Sequence, residues 1–382
     1  MTDYNALSDE ELRELVFETV ERECPPELRH WTGRGGWHQV DPWLQKLARL
    51  GWIAPSWPVE YGGMGLNGPK QIVFHEALDL SGAPRTSGNG PQMLGHLVIK
   101  FGTQAQKDRF LAPIVKGEVL WCQGYSEPNA GSDLASLTTK AELDGDHWVL
   151  NGRKIWTTWA HQCDWMFLLA RTGKGPKKQD GISFMTVDMK SPGITPRPIE
   201  TLTGQAEFCE VIFDNVRVPA ENIIGEVDKG WGVGKALLGF ERLYIGSPKQ
   251  ARDTMIRLRQ VAARNGVERD ALYLRDYAQL ALDIADLEAA YERFREVVKQ
   301  GGTLGAEASI LKIWAMETYQ RVSDMVLRVS GEEGALLDSI DDARGELEIL
   351  APHLHSRTAT LYAGTNDIQR NVVAKAVLGL PS

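Results

Sequence analysis

Apolar residues recur at helical spacing from the start of the chain. Leu12, Leu15, Val16 and Thr19 follow Ser8-Asp-Glu-Glu11, in which the serine is a natural N-cap and Glu11 closes a capping box. The same period returns around 43–50, 71–80, 92–101 and 104–114, with glycine-rich breaks such as Tyr61-Gly-Gly-Met-Gly65 between, so the first domain, 1–118, is predicted to be all-helical. From Val119 to Pro219 the spacing changes. Apolar and β-branched runs of strand length stand at 147–150, 165–170, 182–187 and 209–213, which predicts a β domain, bounded at 119–224. Asn151-Gly152 between His147-Trp-Val-Leu150 and Arg153-Lys-Ile-Trp-Thr157 predicts a two-residue hairpin with positive φ at both turn positions. The polar stretch from Lys174 to Asp180 reads as an exposed loop. Beyond Gly230 the helical period resumes, and Tyr277, Leu280, Ile284, Leu287, Tyr291, Phe294 and Val298 mark the packed face of a long helix. Further helices are expected at 306–327 and 367–378. The fold class is therefore α+β and multidomain, with a second helical region over 225–382.

A chain of 382 residues with 43% hydrophobic content buries a substantial core. Its net charge of −9 argues against nucleic-acid binding or a basic membrane-surface role, since both need concentrated Lys and Arg. Cys24, Cys122, Cys163 and Cys209 form no CxxC pair and are expected to be reduced and buried. The polar start, without a basic and then apolar leader, and the lack of an ~18-residue apolar run point to a cytoplasmic protein with no membrane span. No GxGxxG follows a strand, which disfavours a Rossmann-type site. His353 and His355 have no carboxylate or cysteine at ligand spacing, so no metal is expected.

Three segments carry chemistry. In Gly124-Tyr-Ser-Glu-Pro-Asn-Ala-Gly-Ser-Asp133, small residues let the backbone approach a ligand closely and present N–H groups to phosphate. Lys154-Ile-Trp-Thr-Thr158 sets an indole beside two hydroxyls, suited to covering a flat heterocycle and bonding its edge. Leu361-Tyr-Ala-Gly-Thr-Asn-Asp-Ile-Gln-Arg370 places Gly and Thr at a helix start, a natural seat for a polar or anionic group.

Together with Trp57-Pro-Val-Glu-Tyr-Gly-Gly-Met-Gly-Leu66 and Gly225-Glu-Val-Asp-Lys-Gly-Trp-Gly232, these segments resemble the acyl-CoA dehydrogenase family in order and spacing along nearly the whole chain. The resemblance implies an N-terminal helical domain, a central β-barrel and a C-terminal four-helix bundle. It also implies non-covalently bound FAD, an acyl-CoA substrate, an electron-transfer flavoprotein as acceptor, and a homotetramer or heterotetramer. By the same resemblance Gln123, Tyr125, Ser126, Gly131 and Ser132 line the FAD, with Ser132 also reaching substrate. Trp156, Thr157 and Thr158 cover the other side of the flavin ring, and Thr365 approaches the adenine half. The family's glutamine-and-diglycine segment, which touches a neighbouring subunit's FAD, reads here as Arg328-Val-Ser-Gly-Glu-Glu-Gly334, so Arg328 is expected to substitute through charge. The family's arginine-plus-phenylalanine pair has only Arg264 as a counterpart.

Removing hydrogen across Cα–Cβ of a thioester needs a base for the α-proton, and a glutamate in an apolar cleft has its proton affinity raised by desolvation. Many members carry it just before the Gly-Thr of the last motif; here that position is Ala363, which accepts no proton. Members acting on long-chain and isovaleryl thioesters carry it in a Glu-Arg pair on the first helix of the C-terminal domain, and Gly239-Phe-Glu-Arg-Leu-Tyr-Ile-Gly246 matches that position. Glu241 is thus the expected base, with Arg242, Ala363 and Gly364 at the substrate, and the Ala363 N–H donating to the thioester oxygen. Pro248 is expected to kink or end the Glu241 helix. The small residues Gly239, Gly246, Ser247 and Ala363 leave room for a branched or bulky acyl group, and there is a looser resemblance to bacterial members acting on steroid side-chain thioesters. The alternatives are an FAD-poor structural subunit of a heteromeric dehydrogenase and an acyl-CoA oxidase.

Overall fold

The computed structural model describes residues 3–29, 36–84, 86–240, 245–302, 304–342 and 345–381. Ser8 caps α1 (Asp9–Glu23) with the predicted reciprocal box: its hydroxyl takes the Glu11 N–H at 3.1 Å, and the Glu11 carboxylate takes the Ser8 N–H at 2.7 Å. The helices that follow are α2 (Trp37–Leu50), α3 (Gly68–Leu80), α4 (Gly95–Phe101) and α5 (Gln104–Val115). Asn67 caps α3, and Thr103 with Gln106 forms a second capping box at α5. Trp57, fully buried, organises the loop between α2 and α3: its indole donates to Pro91 O at 2.8 Å and the chain of Pro58 to Leu66 folds back over it. A Cβ on Gly95 would lie 1.7 Å from the Trp57 ring, so only glycine lets α4 pass.

The strands β1 (Trp121–Gly124), β2 (Lys140–Asp144), β3 (His147–Thr158), β4 (Trp165–Arg171), β5 (Ile182–Asp188), β6 (Ile194–Ile199) and β7 (Phe208–Pro219) make a seven-stranded mixed sheet. Its path is β1-β4-β2-β3-β7-β6, with β5 paired to β4. Strands β1 and β2 run parallel to β4, and the other pairs are antiparallel.

The hairpin predicted at Asn151-Gly152 is absent. Those residues lie inside β3, which runs through them opposite β7 with a register shift between Leu150 and Gly152. Gly152 serves as a bulge: its φ is 144° and a Cβ there would lie 2.7 Å from Thr139 Cα. The actual tight hairpin joins β2 to β3, with Asp144 paired to His147 and Gly145, at φ 63°, as first turn residue. A glycine with positive φ occurs in both settings, and the pairing partners, absent from local sequence, decide between them.

Helix α6 (Gly230–Phe240) returns to the β4 side of the sheet, where a Cβ on Gly234 would sit 3.3 Å from the Tyr125 hydroxyl and 3.4 Å from Leu169. Then come α7 (Lys249–Arg264), α8 (Ala271–Lys299), α9 (Ser309–Val329), α10 (Leu350–Ser356) and α11 (Asn366–Val372). Pro248, with φ −69°, sits at the N-cap of α7, as its missing N–H allows. The stripe on α8 is packed as expected: Leu280, Ile284 and Leu287 are buried against Leu311, Met316 and Val322. A small ribbon, β8 (Ile340–Asp342) with β9 (Gly345–Leu347), interrupts the otherwise helical C-terminal part. The chain forms two units, Met1–Glu200 with Ala206–Gly239, and Thr201–Gln205 with Phe240–Ser382. All four cysteines are free and buried.

Candidate active site

In the first unit, the expected cofactor segments converge at the end of β1 and the far half of β3. Ile155 N donates to Ser126 O at 2.9 Å, which ties the chain after β1 to β3. Beneath this contact lies an ion pair that sequence reading passed over. Lys154 Nζ is 2.8 Å from Glu127 Oε1 and 3.2 Å from Tyr125 O, with the lysine side chain wholly buried and that of glutamate 4% exposed. Glu127 also accepts from Thr138 N, Thr138 Oγ1 and Thr139 N at 2.6, 2.9 and 2.9 Å. Burial pushes the Glu127 carboxyl up, but the Lys154 charge and these hydrogen bonds outweigh it and hold it at about 2. Burial holds the Lys154 ammonium down at about 8 in spite of Glu127. The only available sequence signal was a lysine at an inward-facing strand position.

One residue past this clamp the ladder breaks again. Lys154 pairs with Val211 and Thr157 with Cys209, so β3 uses one residue more than β7. The surplus falls at Trp156, whose φ of 60° turns its indole outward, 58% exposed, in edge contact with Phe208 at 6.1 Å. Large aromatics are seldom displayed this way on strained backbone without a ligand to cover. Thr157 is 1% exposed, and its hydroxyl finds no partner among the described residues. A displayed indole beside a buried, unsatisfied hydroxyl fits the face and polar edge of a flavin ring. Gly131 and Ser132 are exposed, and a Cβ on Gly131 would meet nothing within 4 Å, so that loop stands open to a ligand. Gln123, Ser126 and Thr158 are half-buried around the same strand ends.

In the second unit, Ala363 and Gly364 adopt left-handed φ of 53° and 81° ahead of Thr365, whose hydroxyl caps α11 through Ile368 N at 3.1 Å. Among the described residues no acceptor takes the N–H of Ala363 or Gly364. The expected base Glu241 and its neighbour Arg242 lie outside the described residues.

Arg328 is exposed and shares one carboxylate with Arg275. Its guanidinium pairs with Asp276 at 2.8 Å on the wall of a cleft of ≈ 590 Å³, where Asp270, Asp276, Glu332 and Glu333 outnumber Arg275 and Arg328. Arg264 is spent in a bidentate grip on Glu333 at 2.7–3.2 Å. A pyrophosphate would meet net negative charge there, so this cleft does not suit the anionic end of a dinucleotide. No group of His, Cys, Asp or Glu able to hold a metal occurs among the described residues. His353 instead faces Ser323 O at 3.3 Å. No helix among the described residues is long and apolar enough to cross a membrane.

The family models for the acyl-CoA dehydrogenase N-terminal, middle and C-terminal domains match residues 8–118, 122–216 and 228–378. The chain belongs to the acyl-CoA dehydrogenase family. It is an oxidoreductase of acyl-CoA thioesters that uses FAD, as the family's flavoproteins do. Among its relatives, acyl-CoA dehydrogenase IpdE1 of Mycobacterium tuberculosis is 38% identical over 344 residues, 89% of this chain and 87% of that one. The ChsE4-ChsE5 complex from Mycobacterium tuberculosis superposes with a TM-score of 0.83 at 29% identity, covering 98% of each chain. The Tcur3481-Tcur3483 steroid ACAD does so with a TM-score of 0.83 at 28% identity, covering 98% of this chain and 96% of that one.

Proposed function

We propose that this dehydrogenase acts on the thioester of a bulky, polycyclic carboxylic acid, with Glu241 removing the α-proton. The observation that carries the reading is Ala363. The residue before the Gly-Thr has no carboxylate, and its left-handed backbone leaves an N–H without an acceptor among the described residues. In this reading the Ala363 N–H donates to the thioester carbonyl, lowering the α-proton's pKa as negative charge develops on oxygen, and Gly364 and Arg242 help to seat the substrate. A methyl group in place of a carboxylate would leave more room beside the thioester for a ring system, and the steroid ACAD named among the similar structures supports that substrate class. Bound FAD supplies the hydride acceptor. Trp156 would cover the ring, Thr157 would give its buried hydroxyl to the ring edge, and Tyr125, Ser126, Gln123 and Thr158 would flank it. Gly131 and Ser132 would serve the phosphates, and Thr365 the adenine half.

The domain boundaries are taken at 118/119 and 224/225. We further assign the protein to a heteromeric assembly reoxidised by an electron-transfer flavoprotein in the cytoplasm. The acidic surroundings of Arg328 support the heteromer, because a homotetramer would ask that cleft to face another subunit's FAD.

A panel of linear, branched and polycyclic CoA thioesters, scored by anaerobic flavin bleaching, tests the substrate class. Polycyclic thioesters are expected to bleach fastest, and a faster linear series overturns the assignment. Glu241→Gln is expected to keep its flavin and lose about 10²–10⁴-fold in bleaching rate. Near-normal bleaching in that variant refutes Glu241 as the base.

A further inference from the structure

The start of α11 is held from beneath by a buried lysine. Lys312 on α9 and Asn366, the first residue of α11, are each 3% exposed, and Lys312 Nζ lies 2.7 Å from Asn366 Oδ1. The amide passes the contact on: Asn366 Nδ2 donates to Glu317 Oε1 at 3.1 Å and to Ile313 O at 3.4 Å, and Arg370 of α11 pairs with Glu317 as well. Burial holds the Lys312 ammonium down at about 8, against the opposing pull of Glu317. A buried ammonium whose direct partner is an amide is costly, and an apolar side chain would fill the same space at less cost. What the lysine adds is direction, because it fixes one orientation of one amide.

That amide belongs to the first residue of α11, two residues past the Ala363-Gly364 turn. Ala363 sits at φ 53°, a conformation disfavoured for alanine that persists only where the surroundings over-determine it. Gln369 Nε2 grips the turn at Ala363 O, 3.3 Å away. Lys312 holds Asn366, two residues past Gly364. We propose that Lys312 is a positioning residue for the dehydrogenation, locking the Ala363-Gly364 turn so that its N–H groups aim at the thioester oxygen. This rests on the proposed role of Ala363.

The test is Lys312→Met in the flavin-loaded protein, read by amide hydrogen exchange of Ile368 and Gln369, whose N–H groups are bonded to Thr365 just past the turn, by thermal midpoint, and by kcat and KM. Exchange is expected to accelerate and kcat to fall about 10²-fold, the usual consequence of a displaced electrostatic contact, with KM and the midpoint little changed. Lys312→Arg restores part of both losses. Unchanged exchange overturns the proposal and leaves the Ala363 reading standing. Faster exchange with unchanged kcat shows that the turn does not serve the thioester, which overturns both. A purely structural lysine would lower the midpoint without splitting kcat from KM. If Lys312→Met fails to fold, the double variant Lys312→Met/Asn366→Leu replaces both partners with apolar groups and reads the same quantities.

Discussion

Consider Lys154→Met. The side chain is isolated from water and its ammonium makes two contacts, to Glu127 Oε1 at 2.8 Å and Tyr125 O at 3.2 Å. Methionine fills the volume but leaves the Glu127 carboxylate buried against Thr138 and Thr139 alone. Breaking one side of a buried pair costs about 3–5 kcal/mol, and since three donors stay on Glu127 the lower end, about 3 kcal/mol, is expected. For a unit of this size that lowers the thermal midpoint by about 6–12 °C. The pH dependence has a definite sign. In the wild type, Glu127 titrates at about 2 in the folded state, below its ordinary value of 4.5, so its contribution is full above 4.5 and is lost as pH falls toward 2. In the variant, burial dominates and raises that pKa, so acid relieves the penalty. The stability gap between the two proteins therefore narrows as pH falls from 7 toward 4. Differential scanning fluorimetry over that range measures it. Glu127→Leu added to Lys154→Met is expected to recover most of the loss. A single variant within about 2 °C of wild type at pH 7, or a gap that widens in acid, would show that this pair does not hold the chain after β1 to β3.

Two further outcomes are expected. Thr157→Val, which removes a hydroxyl without a partner among the described residues, leaves the flavin-free midpoint unchanged or higher but weakens FAD binding about fivefold, the equivalent of one hydrogen bond of about 1 kcal/mol. Equal FAD affinity by fluorescence titration would remove the hydroxyl from the flavin site. Gly95→Ala, whose methyl would collide with Trp57 at 1.7 Å, costs about 3 kcal/mol, and a wild-type midpoint would show that α4 has room to move.

Local pattern alone determined a good deal here. The capping box at Ser8, the packed stripe on α8, the exposed loop after β4 and the helical–β–helical order are all written in residues close in sequence, because caps, periodicity and turn residues act over one or two helical turns. The five segments, taken in order along the chain, likewise made the family legible, and Trp156 and Thr157 were singled out from their chemistry. Pairing partners distant in sequence decided the rest. Asn151-Gly152 became a bulge and not a hairpin because β7 lies alongside β3 past that point, while Gly145 made the turn. The same non-local ladder turned Trp156 outward and Thr157 inward. Arg328 found its partner in Asp276, 52 residues away, and Lys154 and Lys312 acquired their meaning only when folding carried them out of water against Glu127 and Asn366. Charge and backbone direction inside a protein depend on what surrounds a group in space, and for these residues the tertiary structure alone supplies those surroundings.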